Sequence, residues 1–128
     1  MPHVPRGNPV ALVVEDEALI EWMLVDVLEE EGFLAVPART LAEVREIIST
    51  RPEIELFLID SGLPDGDGLS LIPEIRERYP SARIAAATGR ADVSIEGVTV
   101  FVKPYDIAEI ADFVSGRGLT NSGKGPAS

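Results

Sequence analysis

The chain contains no cysteine. Disulfides, thiolate metal sites and a cysteine nucleophile are therefore excluded. It has no apolar run near the roughly 20 residues of a membrane span, and its N-terminus lacks the apolar core of a signal peptide. Positive charge is scarce: 11 lysines and arginines face 22 acidic residues, for a formal net charge of -11. Nucleic-acid backbones and anionic membrane surfaces need a basic face, so neither is an expected partner. The one histidine, His3, lies in a lead-in of residues 1–9 that holds three prolines and a glycine and reads as flexible. A lone terminal histidine there is incidental. The expectation is a soluble cytoplasmic protein.

What is present fits a single domain with its own core: 128 residues, 45% of them hydrophobic. The organising stretch is Leu56 to Gly68. Leu56, Phe57, Leu58 and Ile59 form the short solid apolar run of a strand buried on both faces. Asp60 follows at its end, and Gly62, Pro64, Gly66 and Gly68 then force a turn. In open α/β sheets, ligands bind beyond the carboxyl ends of the strands. An ionised aspartate in that place can act as a nucleophile and accept a phosphoryl group. Asp is also a common turn residue, so this stretch alone leaves both readings open.

The rest of the chain repeats the pattern. Val10–Val14 is a second buried strand, ending in Glu15, Asp16 and Glu17. A helix is predicted over Ala18–Glu31, with Ile20, Met23, Leu24, Val27 and Leu28 at helical spacing and Gly32 as its stop. Trp22 sits near the edge of that apolar face, where core filling and partner contact are both open. Phe33–Val36 reads as a strand. Thr40, with Glu43 three residues on, is placed to cap a helix running to about Ser49. After Gly68 a helix is predicted over Leu69–Tyr79, although Pro73 conflicts with a helix interior. Arg83–Ala87 and Val98–Val102 are two further strands, ending at Thr88-Gly89 and Lys103-Pro104. Asp106 caps a last helix to about Val114, and residues 115–128, rich in Gly and Ser, read as a disordered tail. Five strands alternating with helices predict a doubly wound parallel sheet in a three-layer α/β/α sandwich.

Strand ends in a parallel sheet open on one edge, so Glu15 and Asp16, Asp60, Thr88 and Lys103 should meet there. Crowded carboxylates repel one another, and a divalent cation removes that conflict. Mg²⁺ favours oxygen ligands and is usually held by one or two carboxylates plus phosphate oxygens. Lys103 would add a charge for a phosphoryl oxygen and Thr88 a hydroxyl. Such parts suit phosphoryl transfer.

Four motifs, Val-Val-Glu-Asp-Glu at 13–17, Ile-Asp-Ser-Gly-Leu-Pro-Asp-Gly-Asp-Gly at 59–68, Ala-Thr-Gly at 87–89 and Val-Lys-Pro-Tyr at 102–105, occur in this order. With them the sequence resembles the receiver domains of two-component response regulators, over residues 10–114. The resemblance implies a flavodoxin-like five-stranded sheet of order 2-1-3-4-5. It also implies Asp60 as phosphoacceptor and an Mg²⁺ (or Mn²⁺) site made by Glu15, Asp16, Asp60 and the backbone carbonyl of Gly62. Thr88 would be the switch hydroxyl and Lys103 the phosphate-binding lysine. A cis Lys103–Pro104 bond is expected as well. Leu19, Ile20, Trp22 and Met23 become candidates for a docking face, beside the alternative that they are core.

Two departures from the family's pattern stand out. Val100 occupies the place of the usual aromatic three residues before the lysine, with Phe101 one place later and facing the other way. Between Thr88 and the last strand, Gly89 to Gly97 is too short for a full helix, so the fourth helix should be shortened or absent. This segment, with few large apolar residues, is expected to respond to phosphorylation. With Ala86-Ala87-Thr88-Gly89, these features resemble a receiver subgroup with a Phe-Ala-Thr-Gly motif, Ala86 replacing the Phe.

The expectation is thus a stand-alone receiver, with a domain excised from a longer protein as the alternative. It would take a phosphoryl group from a histidine kinase or histidine phosphotransfer protein, catalysing its own phosphorylation and slow dephosphorylation without being an enzyme for another substrate. It would signal to an unknown downstream protein by contact or phosphorelay. A haloacid-dehalogenase-type phosphatase would need an acid where Gly62 stands. A degenerate receiver would not keep Asp16, Asp60 and Lys103 together. A flavodoxin-type carrier of FMN would not place acidic residues at its first phosphate-binding turn.

Overall fold

The computed structural model describes residues 7–116. The predicted features in residues 1–6 and 117–128, including His3 and most of the tail, lie outside these. Five parallel strands form the sheet: β1 (Val10–Val14), β2 (Leu34–Ala38), β3 (Leu56–Asp60), β4 (Arg83–Thr88) and β5 (Val98–Val102). Their order is β2-β1-β3-β4-β5, the flavodoxin-like arrangement expected. Four α-helices accompany them: α1 (Ala18–Glu30), α2 (Leu41–Thr50), α3 (Ile72–Arg78) and α4 (Ile107–Ser115).

Strand alternation divides the core in two. Leu12, Val14, Phe57, Ile59 and Ile84 point to the layer of α2 and α3, where Val44, Ile48, Ile72 and Ile75 close over them. Ala11, Val13, Leu56, Leu58 and Ala85 point to the layer of α1 and α4, against Leu24, Leu28, Ile110, Phe113 and Val114. All five residues of β3 are buried, which is why its sequence shows no polar alternation.

Local chemistry explains the boundaries. At the end of α1, Gly32 takes φ +91°, and the N–H groups of Gly32 and Phe33 donate to Glu29 and Leu28 carbonyls, each at 3.0 Å. That is a Schellman stop, for which glycine is the natural residue. Thr40 Oγ1 accepts from Glu43 N at 3.0 Å as expected, but Glu43 Oε1 accepts from Arg39 N at 2.6 Å rather than from Thr40. The strand at 33–36 runs on to Ala38 through Pro37. It lies at the sheet's edge, where a missing N–H breaks no ladder. The expected helix from Leu69 begins instead as a 3₁₀ turn, Gly68–Leu71, and becomes α-helical at Ile72. Pro73 then falls in the first turn, where its absent N–H costs nothing.

No helix forms between Gly89 and Gly97; the segment runs as turns. It is better anchored than its composition suggests. Ile95 packs against the α2/α3 core, and Arg76 of α3 donates to the Glu96 carbonyl.

Candidate functional site

The ladder bonds continue one step past β1, β3 and β5. Glu15 N donates to Ala38 O at 2.9 Å, Ser61 N to Ala87 O at 2.9 Å, and Lys103 N to Thr88 O at 2.7 Å. The register places Asp60 opposite Ala87 and Thr88 opposite Val102. Glu15, Asp60, Thr88 and Lys103 are thus fixed by main-chain bonds along one edge.

Glu15, Asp60 and Thr88 are the buried polar side chains among the described residues. Oxygens from Glu15, Asp16 and Asp60 all lie within 4.8 Å of one another. The Lys103 ammonium pairs with Asp60 Oδ1. Apart from that ammonium, this buried oxygen has no hydrogen-bond partner among the described residues. Glu15 Oε2 accepts from Glu17 N at 3.1 Å. Burial, then the charges of Asp60 and Asp16, push the Glu15 carboxyl from its ordinary 4.5 to about 7, against the pull of the Glu17 N–H and Lys103. Burial pulls the Lys103 ammonium down, but its bond to Asp60 and the charges of Asp60, Glu15 and Glu17 outweigh this and raise it.

A hard divalent cation fits this donor set. It would meet three carboxylates in one place, share the Asp60 carboxylate with the Lys103 ammonium and relieve the repulsion that helps raise Glu15.

The turn behind Asp60 is built to tight tolerances. Gly68 is buried, and a Cβ there would lie 2.0 Å from the Asp60 carbonyl oxygen and 3.0 Å from Ile59 Cγ2. Its N–H donates to Ser61 O at 2.9 Å. Gly66, at φ +150°, would drive a Cβ to 2.7 Å from Leu41 Cδ1. Between them Asp67 Oδ1 accepts from Leu69 N at 2.9 Å. Asp65 accepts from Leu41 N at 2.8 Å and Ala42 N at 3.2 Å, so the loop behind Asp60 is tied to the start of α2. The sequence marked these residues only as a turn. Nothing in it pairs Asp65 with a helix two dozen residues earlier.

The other expected residues fall as follows. Gly62 is exposed, and a Cβ on it would stand 3.8 Å from Asp60 Oδ2, so its backbone borders the carboxylate. Thr88 Oγ1 accepts from Arg90 N at 3.2 Å, and the Arg90 guanidinium reaches Asp67 at 3.7 Å across the mouth of the site. The Lys103–Pro104 bond is cis. Phe101 packs into the α1/α4 layer, with ring centroids 6.0 Å from Phe113 and 6.2 Å from Tyr105. On α1, Leu19 is 69% and Trp22 66% exposed, so neither is core. Ile20 and Met23 are half-buried and line a groove of about 490 Å³ with Lys103, Pro104, Tyr105 and Ile107.

Residues 11–115 match the family described as the response regulator receiver domain. The response regulator protein PilR of Pseudomonas aeruginosa is 32% identical over 112 residues, which are 82% of this chain and 25% of that protein. The photosynthetic apparatus regulatory protein RegA of Cereibacter sphaeroides is 32% identical over 114 residues, 84% of this chain and 61% of RegA. The chain therefore spans only part of the length of these curated relatives. The fold matches the signal receiver domain of an HD domain-containing protein from Pseudomonas fluorescens Pf-5, with TM-score 0.75 and 21% identity, covering 98% of this chain and 97% of that one. Among the described residues no helix is long and apolar enough to cross a membrane.

Proposed function

Since this chain belongs to the response regulator receiver domains, we propose that it accepts a phosphoryl group from a phosphohistidine onto Asp60. The carrying observation is the convergence of Glu15, Asp16 and Asp60 within 4.8 Å, with Lys103 paired to the buried Asp60. An Asp60 carboxylate oxygen attacks phosphorus. The new O–P bond forms as the P–N bond to the histidine breaks, and the imidazole leaves. Bound Mg²⁺ would neutralise charge on the transferring oxygens, held by Glu15, Asp16, Asp60 and the Gly62 carbonyl. Lys103 passes its charge from the carboxylate to a phosphoryl oxygen. The Thr88 hydroxyl, which now accepts from Arg90, has a proton to donate to another. The same site catalyses its own phosphorylation and, with water as acceptor, slow dephosphorylation.

The donor is a histidine kinase or phosphotransfer protein, and the exposed Leu19 and Trp22 beside the Ile20–Met23 groove form the face it docks on. Output goes to a further protein by contact or phosphorelay. The reading puts the domain in the cytoplasm, where ATP-derived phosphoryl groups are made. Intact-mass measurement after acetyl phosphate and Mg²⁺ tests it. One added phosphate is expected in the unaltered protein and none in Asp60→Asn. An undiminished signal in that variant removes Asp60 from the role.

A further inference from the structure

Tyr105 belongs to two surfaces at once. On one side it lines a small cavity of about 10 Å³ behind the acceptor, together with Glu15, Asp60, Leu24, Phe101 and Ile110. On the other it lines the open groove with Ile20, Met23, Pro104 and Ile107. It is the one aromatic wall common to both. It also sits two residues beyond Lys103, whose ammonium holds Asp60 and whose side chain lines the same groove.

The ring is restrained at its edge by Phe101, 6.2 Å away and tilted by 59°. Its hydroxyl has no hydrogen-bond partner among the described residues. The other tyrosine, Tyr79, differs: its hydroxyl donates into the Arg51 carbonyl at 2.6 Å and is also 3.2 Å from that of Ile48. Burial, followed by the charges of Glu15, Asp60 and Glu17, pushes the Tyr105 phenol up to about 12, so it stays a neutral donor within the field of the carboxylates. A phosphoryl group brings strong new acceptor oxygens to that field and draws Lys103 toward them. Val100 offers no ring at its place on β5, and Phe101, the strand's aromatic, lines the cavity but not the groove.

We propose that Tyr105 is a positioning residue that couples the phosphorylation state of Asp60 to the shape of the Ile20–Met23 groove. The coupling deepens the receiver reading and rests on it. By linkage it runs both ways: a partner that favours one position of the ring changes the stability of the phosphorylated state by the same factor.

The chain has two methionines, Met1 and Met23, so methyl-labelled methionine gives a resonance inside the groove. Beryllofluoride with Mg²⁺ serves as the phosphoryl mimic, and the Ser61 amide, beside the acceptor, reports its binding. In the unaltered protein both the Ser61 amide and the Met23 methyl should shift. Tyr105→Phe keeps the ring and its volume; mimic affinity should stay within about twofold while the Met23 shift falls by about half or more. Tyr105→Leu, which removes the ring, should abolish the Met23 shift and leave the Ser61 response. A full Met23 shift in both variants overturns the coupling. So does a silent Met23 in unaltered protein whose Ser61 amide shows the mimic bound. A silent Ser61 amide at saturating mimic overturns the receiver reading and the coupling with it.

Discussion

At the scale of single residues, the site is governed by crowding of two kinds. The first is steric. With a Cβ only 2.0 Å from the Asp60 carbonyl oxygen, Gly68→Ala must displace the backbone of Asp60 itself. It should cost about 1–3 kcal/mol in denaturant titration, as overpacking does, and should slow phosphorylation by acetyl phosphate. The second is electrostatic. In metal-free protein Glu15 holds its proton up to about pH 7, whereas an unfolded chain releases it near 4.5. Between those values the native state binds more protons at Glu15, so this group's contribution to stability is fully present below about 4.5 and is lost as pH rises toward 7. Denaturation in EDTA at a series of pH values should show that decline, and Glu15→Gln should flatten it. The carboxylates, Thr88 and Lys103 were legible in the sequence because strand ends in a parallel sheet share an edge. The need for glycine at 68 was not, because it depends on a backbone approach that only the folded turn creates.

At the scale of elements, periodicity located the five strands of the parallel sheet and the four α-helices of the described residues but not the short antiparallel pair Gly62–Leu63 and Gly66–Asp67, and errors gathered where a tertiary circumstance altered a local rule. Pro37 was tolerated because its strand is an edge; Pro73 became harmless because a 3₁₀ turn delayed the helix. The start of α2 combines a cap visible in sequence, Thr40, with one that is not, Asp65. Thr40→Ala should therefore lower stability by about 1 kcal/mol, without unfolding α2, as thermal melts will show. The connection from β4 to β5 divides likewise. Its second half is held by Ile95 and Arg76, while in Gly89 to Val93 it is Arg90 that supplies the tether, through its N–H to Thr88 and its guanidinium to Asp67. Hydrogen exchange with and without beryllofluoride and Mg²⁺ should change most in residues 89–93 and least in 95–97. Equal change throughout would return the response to the whole segment.

For the molecule as a whole, two apolar layers carry the fold and one polar edge opposes it. A cation at that edge should therefore act as a global stabiliser. At about 100 times its dissociation constant, Mg²⁺ should add about 2.7 kcal/mol, reversed by chelation and reduced in Asp16→Asn. The proposed docking face should behave oppositely. Leu19→Ala and Trp22→Ala remove exposed side chains and should stay within about 0.5 kcal/mol of the unaltered protein while slowing phosphotransfer from a phosphohistidine donor. The absent helix between β4 and β5 has an engineering corollary. Ala91 and Asp92 lie in an exposed turn outside any helix or strand, a few residues from Thr88. Foreign sequence spliced there would interrupt no regular hydrogen-bond ladder, and each doubling of loop length would cost only about 0.6 kcal/mol. A circularly permuted fluorescent protein carried at that junction would sit on the segment expected to move, making the domain a genetically encoded reporter of its own phosphorylation.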